Sequence, residues 1–381
     1  MTEVSIVRCE EYEFAACTEA LQKALAPFGG LDWVKEGMRV AIKANLVEAA
    51  KPEKGATTHP LLLEILTKML VEKGARVVIG DSPGQLYNAA ILNHVYAVCG
   101  LKEAEAAGAE LNRNFAQNSV LFPEAKVAKS FSVTSYLTEA DAIISFCKLK
   151  SHGMMTMTAA TKNLFGAVPG LMKPEYHFRF PNPLDFSNMI IDLNEYFRPQ
   201  IYLVDAVLGM EGNGPTAGTP KKIGAVLAAK NCHKLDLVCA KLIGAEPMAV
   251  PTLKAAFDRG LCPERAEEVA VAGEVFTVKD FQLPPQNKSL QFENILPGKL
   301  GVTLGKVARK ALQASPKLKD RKGCIGCRRC EKLCPAKAIT MVKGKPKINR
   351  KKCIRCFCCQ EFCPKGALKV HRPIIARILN R

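Results

Sequence analysis

The sequence predicts an α/β protein: a mostly parallel, doubly wound sheet over residues 1–285, followed by a small α+β module over residues 318–370. Three observations predict it. Compact apolar runs alternate with amphipathic runs of helical length through the first 285 residues, the order that builds a parallel sheet with crossover helices. A cysteine pattern then occurs twice, at Cys324, Cys327, Cys330, Cys334 and at Cys353, Cys356, Cys359, Cys363, with the copies offset by 29 residues and each closed by a proline. Charge divides at the same place: residues 301–381 hold 23 Lys/Arg against 3 Asp/Glu, whereas residues 1–300 hold 31 against 33.

Each element follows from local pattern. Residues 4–7 read as a short strand, and 18–25 carry Leu21, Leu25 and alanines at helical spacing before Gly29-Gly30. A second apolar strand over 38–42 ends in Lys43-Ala-Asn45-Leu46. Pro60 opens an amphipathic helix over 61–71. The next strand, 76–79, is closed by Gly80-Asp81-Ser82-Pro83-Gly84. Helices are expected over 88–99 and 101–107, while 111–138 carries no clear period. A buried-type strand over 142–147 runs into Lys148-Leu-Lys150-Ser-His152, and 155–164 reads as a helix or loop–helix. Residues 183–197 read as a helix and 201–207 as a strand, with a glycine-rich loop over 209–218. Strand 224–229, helices 234–243 and 251–259, and a late strand 275–278 complete the body. Residues 286–317 read as a connector holding a basic helix over 302–313, and 371–381 as a basic, apolar tail docked on its own protein.

Both cysteine runs fit C-x2-C-x2-C-x3-C-P, the spacing of bacterial iron–sulfur proteins. A cubane cluster offers four iron corners. Three cysteines at two-residue gaps let one tight loop wrap three of them, and the fourth thiolate comes from the other copy. Two [4Fe–4S] clusters are therefore expected, one on Cys324, Cys327, Cys330 and Cys363, the other on Cys353, Cys356, Cys359 and Cys334. The module is then a bacterial-type two-cluster ferredoxin domain. Cys358 reads as a small buried thiol, with an alternative role as ligand. Zinc is the rival metal, but zinc sites need neither four cysteines per copy nor the following proline. The remaining cysteines, Cys9, Cys17, Cys99, Cys147, Cys232, Cys239 and Cys262, lack paired spacing, as free thiols of a reducing compartment do.

The basic excess belongs to the cluster segment, and it suits an acidic redox partner such as a ferredoxin or a flavodoxin. Nucleic acid fits less well, since the basic stretch lacks interleaved aromatics for stacking. No run of 18 apolar residues predicts a transmembrane helix, and the N-terminus lacks the features of a signal peptide, so a cytoplasmic protein is expected.

In an open α/β sheet, ligands bind outside the carboxyl ends of the strands. Four expected strand ends carry polar loops: Lys43/Asn45, Asp81/Ser82, Lys148/Lys150/His152, and Asp205 with Glu211/Asn213. Lys162 and Asn163 return to the same edge. Lys43, His152, Asp81, Asp205 and Glu211 are candidates for acid–base work. Lys148, Lys150, Lys162, Asn163 and Asn213 are candidates for holding a small anionic substrate, a carboxylate or phosphate. A second metal on the carboxylates is an open alternative. Each has a structural reading too: Asp81 as a turn former, His59 as a satisfied loop histidine, Lys162 and Asn163 as a solvated helix face. Residues 209–218 are not G-x-G-x-x-G, so no dinucleotide is expected.

The strings Lys43-Ala-Asn45-Leu46, Thr58-His59-Pro60, Gly80-Asp81-Ser82-Pro83-Gly84, Lys148-Leu-Lys150-Ser-His152, Lys162-Asn163-Leu-Phe-Gly166 and Gly209-Met-Glu211-Gly212-Asn213-Gly214-Pro resemble the DUF362 family. The chain is similar to members that carry a C-terminal two-cluster ferredoxin domain. The resemblance implies architecture, cluster content and a reductive role, without a substrate. Residues 38–74 also resemble lactate-racemase-type proteins, in fold only. Three functions compete: an oxidoreductase passing low-potential electrons to the strand-end site, a non-catalytic electron carrier or adaptor, and a metal- or cofactor-handling protein.

Overall fold

The structure, a computed structural model, describes residues 2–284 and 315–371. The body is built on a nine-stranded mixed sheet. Its strands are β1 (Val4–Arg8), β2 (Arg39–Ala44), β3 (Arg76–Gly80), β4 (Glu110–Leu111), β7 (Ala142–His152), β8 (Thr156–Thr158), β9 (Ile201–Glu211), β10 (Thr219–Ala229) and β11 (Val271–Ala272). The order is β11-β1-β10-β9-β7-β2-β3-β4, with β8 folded back on β7. The contiguous run β9-β7-β2-β3-β4 is parallel. β10 is antiparallel to both β9 and β1, and β8 is antiparallel to β7.

Residues alternate between faces along each strand. Val40, Ile42 and Ala44 point into one core with the helices Phe14–Leu25, Pro60–Glu72 and Ala89–Cys99. Ala41, Val78 and Ile143 point to the other side, where Pro183–Phe197 packs, and beyond it Cys232–Leu242 and Pro251–Phe257 cover β9 and β10. Helix Pro60–Glu72 shows how sequence sets one element. Proline sits in its first turn, the His59 ring accepts from the Leu61 amide, and Leu62, Leu63, Leu66 and Leu70 are fully buried. Truncating one such leucine to alanine costs about 2–5 kcal/mol.

Several expected elements differ. The region 111–138 contains an antiparallel hairpin of β5 (Gln117–Leu121) and β6 (Ser130–Thr134). The stretch over 155–164, expected as a helix or loop–helix, is the short strand β8 followed by the four-residue helix Ala160–Asn163. The late strand is at 271–272, where it pairs with β1, and not at 275–278. β7 and β9 each run for 11 residues, longer than expected, because both continue past the body of the sheet. The expected helix at 302–313 and the tail from 372 lie outside the described residues. Among the described residues no helix is long and apolar enough to cross a membrane.

The C-terminal module is β12 (Ser315–Leu318), the helix Arg329–Lys332, β13 (Ile339–Val342), β14 (Lys345–Ile348), the helix Cys358–Glu361 and β15 (Leu368–His371). β12 pairs with β15, so the stretch read as a connector already supplies the module's first strand. The two cysteine runs have the same backbone. Left-handed residues recur at the 29-residue offset: Gly326 and Arg355, Arg328 and Phe357, Lys337 and Gly366. Such φ values are unfavourable for Arg, Phe and Lys, and persist where surrounding structure over-determines them.

Candidate functional site

Each cysteine set surrounds its own cavity. Cys324, Cys327, Cys330 and Cys363 line one, and Cys334, Cys353, Cys356 and Cys359 line the other. The sets are crossed between the sequence copies, as the spacing rule requires. The Ala338 amide donates to Cys334 Sγ at 3.2 Å and the Ala367 amide to Cys363 Sγ at 3.3 Å, the same contact in both halves. The donor set therefore fits a cubane cluster at each cavity. Cys358 is buried and borders the second cavity as well.

The carboxyl ends of β9, β7, β2 and β3 open on one edge, so the polar strand ends meet as the topology demands. They do not form a single site. Lys148 and Asp205 form a fully buried pair at 2.5 Å, closed by Tyr12, whose hydroxyl donates to Asp205 and accepts from the Lys148 ammonium. His59 stacks on Tyr12 with ring centroids 3.5 Å apart, and its amide donates to Asp205. Burial pushes the His59 ring down to about 4, so it is neutral. This group is sealed. Lys148 and Asp205 join the sheet to the helix start at Pro60.

A second group lines a small cavity of about 60 Å³. Lys43 and Asp81 form a buried pair at 2.8 Å, and Asp81 also accepts from the Leu46 and Ser82 amides. Asn163 bridges the Lys43 ammonium to its own carbonyl. A Cβ on Gly166 would lie 2.2 Å from Asp81 Oδ1 and 2.5 Å from Lys43 Nζ, so only glycine leaves room for the pair there. Asn45, Asp81, Lys150, Lys162 and Asn163 line the cavity, with Lys173 and His177 from the helix Met172–Arg179. Lys150 donates to Asn45 Oδ1 and the Ala56 carbonyl, both at 2.7 Å. Burial, aided by Lys162, lowers Lys150 to about 7, and burial lowers Lys173 to the same value. Lys162 has no hydrogen-bond acceptor among the described residues. Its ammonium lies 5.6 Å from the Phe165 ring centroid.

The remaining wall comes from the module. Glu361 and Phe362 line the same cavity. His152 Nε2 stands 3.0 Å from Glu361 Oε1. The other ring nitrogen, Nδ1, accepts from the Met154 and Met155 amides, so the single proton of a neutral ring sits on Nε2, close to the carboxylate but not aligned with it as a hydrogen bond. Burial works against the Glu361 charge, but His152 and Lys162 outweigh it and hold the carboxyl down to about 2. Gln360 donates to the Asn213 and Gly214 carbonyls, and Thr216 donates to the Glu361 carbonyl. Asn213 thus meets the module and not the cavity. Glu211 is also outside, accepting from the Gln282 amide at 2.8 Å. A Cβ on Gly84 would lie 1.9 Å from the Phe362 ring, so this glycine admits the ring.

Outside the small cavity lies an open cleft of about 1140 Å³ between body and module. Val47, Glu361 and Phe362 border both spaces. Cys363 lies on the cleft wall, together with Lys54, Arg329, Lys332, Lys365 and Lys369. Sequence reasoning missed Lys173, His177, Gln360, Glu361 and Phe362. Lys173 and His177 lie in no motif. The other three had a signal in the internal repeat: Gln360-Glu361-Phe362 stands where the first copy has Glu331-Lys332-Leu333.

Comparison with known proteins agrees with this division. Residues 40–241 match the domain of unknown function DUF362, and residues 316–364 match a 4Fe-4S dicluster domain. A thylakoid-associated protein of Synechocystis sp. is 31% identical over 272 residues, covering 69% of this chain and 81% of that protein. Among solved structures, the lactate racemase apoprotein of Thermoanaerobacterium thermosaccharolyticum is similar at a TM-score of 0.40 and 12% identity, over 62% of this chain and 56% of that one. A Thermotoga maritima protein is similar at 0.34 and 13%, over 57% and 56%. The dicluster match makes the C-terminal module an iron–sulfur domain with an electron-transfer role.

Proposed function

The chain belongs to the DUF362 family and joins to it a 4Fe-4S dicluster domain, and from that premise we propose an oxidoreductase that delivers low-potential electrons to a substrate held where the strand ends meet the module. Two [4Fe–4S] clusters are held in this reading, one by Cys324, Cys327, Cys330 and Cys363 and one by Cys353, Cys356, Cys359 and Cys334. Bound there, they supply electrons one at a time, without protons. The chain's own side chains do the rest. Lys150, Lys162 and Asn163 orient an anionic substrate. The Lys43–Asp81 pair fixes the cavity floor, and His152 stands behind Glu361, which lines the wall.

One observation carries this reading: the helix Cys358–Glu361 reaches into the strand-end site, and the ligand Cys363 that follows it lies on the wall of the adjoining cleft. The electron donor is an acidic redox protein, a ferredoxin or flavodoxin. Cys327 is the one exposed cysteine of the eight, and Arg321, Lys322 and Arg329 around it are exposed and basic.

The test is anaerobic reoxidation of the reduced protein by candidate acceptors, followed by cluster absorbance. Lys150→Met and His152→Gln should slow reoxidation at least about tenfold with cluster content intact. Unchanged rates in both would favour carriage of electrons between protein partners.

A further inference from the structure

The charges around the inner cavity do not balance. Lys43 is matched by Asp81, and Lys162 faces Glu361. Lys150 and Lys173 are left. Lys150 reaches only an amide and a carbonyl oxygen, and Lys173 only the Ser82 and Val168 carbonyls. Among the described residues no carboxylate lies within 4.0 Å of either ammonium. Both are almost fully buried, at 1% and 8% exposure. Burying an ammonium without a counter-charge costs several kcal/mol, which is why such groups are normally paired. Carbonyls satisfy the N–H donors but leave the charge uncompensated.

A second observation points the same way. His177 is buried at 2% exposure, lines the cavity, and its Nδ1 has no hydrogen-bond partner among the described residues. Its ring is held flat against Phe186, with centroids 4.2 Å apart. A buried polar atom without a partner marks a place where a partner is expected.

Size then limits the ligand. The cavity is about 60 Å³, about one-twentieth of the cleft it adjoins. That holds an oxyanion head and not a whole substrate. The cleft of about 1140 Å³ beyond Val47, Glu361 and Phe362 is large enough for the remainder.

Building on the electron-delivery reading above, we propose that the inner cavity is an oxyanion receptor, in which Lys150, Lys173 and His177 bind the carboxylate or phosphate head of a substrate whose reducible body lies in the outer cleft beside Cys363. The substrate class is thus a bipartite one: an anionic head, and a larger body that accepts the electrons. Val47, Glu361 and Phe362 form the neck between the two chambers.

The test uses oxidised holoprotein without donor, titrated calorimetrically with inorganic phosphate and, separately, with acetate. Saturable one-to-one binding of at least one anion is expected, weakened about tenfold or more by Lys150→Met and by Lys173→Met. Phosphate binding without acetate binding assigns a phosphoryl head, and the reverse a carboxylate head. Should either variant fail to fold, the wild type still decides: phosphate or acetate should protect the fold, raising its melting temperature with anion concentration as a ligand of the folded state does. No saturable binding of either anion, or no protection, overturns the proposal. Such a failure leaves electron delivery standing with an uncharged acceptor. A failure of electron delivery leaves the binding result untouched.

Discussion

Nε2 of His152, the last residue of β7, lies 3.0 Å from Oε1 of Glu361, the last residue of the second cysteine-bearing helix. This contact joins the sheet to the iron–sulfur module through a neutral imidazole and a carboxylate, both almost free of solvent. Glu361→Ala removes the carboxylate beside the buried Nε2, and with it a close polar contact between sheet and module, at a cost of about 1–3 kcal/mol. A lower melting temperature with unchanged cluster absorbance is expected, and small-angle scattering should report a larger radius as the module separates. Glu361→Gln keeps an acceptor oxygen and should lose less than half as much.

The Lys43–Asp81 pair tests how the floor is held. Lys43→Met alone strands a buried carboxylate and should cost about 3–5 kcal/mol. Adding Asp81→Asn removes that charge and keeps one oxygen, which can accept from the Leu46 or the Ser82 amide but not both. The double variant should therefore unfold in urea at a higher midpoint than Lys43→Met alone.

Crossed ligation has a direct signature. Cys363→Ser should abolish the cluster built on Cys324, Cys327 and Cys330, and Cys334→Ser the one built on Cys353, Cys356 and Cys359. Anaerobic iron analysis should fall to about half in each case. Cys358→Ser should leave iron content unchanged.

The inner lysines set a pH dependence. Lys150 is lowered to about 7 by burial, with Lys162 and Lys148 pushing it further down and Glu48 and Asp81 opposing. Lys173 is lowered to about 7 by burial, with Lys43 and Lys162 adding and Asp81 opposing. Between about 7 and the ordinary lysine value of about 10.4, the unfolded chain binds more protons than the folded one. Stability from these two groups should rise with pH across that window and be lost as pH falls through about 7. Anion affinity runs the other way, strengthening from about pH 9 to about pH 6 as both ammoniums charge. Urea melts and phosphate titrations across this range measure the two trends.

The central parallel strands were readable because strands buried on both faces are continuous apolar runs, as in 142–147. Direction was not readable for β10, since an apolar run fits either direction, and it is antiparallel to both β9 and β1. The polar strand ends were readable as one edge, but their division into two groups was not. Lys148 and Asp205 close on each other only because β7 and β9 lie side by side in that register. Glu211 and Asn213 leave the cavity because β9 runs four residues past its expected end. Lys173 and His177 depend on how the helix Met172–Arg179 lies across the sheet edge, which no local pattern states.

The repeat at a 29-residue offset gives two halves with the same loops, helices and N–H···S contacts. Such an object is nearly reversible, and either half would fit the same socket equally well. Three side chains remove that ambiguity. Gln360 meets the Asn213 and Gly214 carbonyls, Glu361 meets His152, and Phe362 fills the space beside Gly84, where the other half has Glu331, Lys332 and Leu333. The module is a keyed plug, and this tripeptide, with Val370 beside Asn213 and Gly153, sets its polarity in the socket.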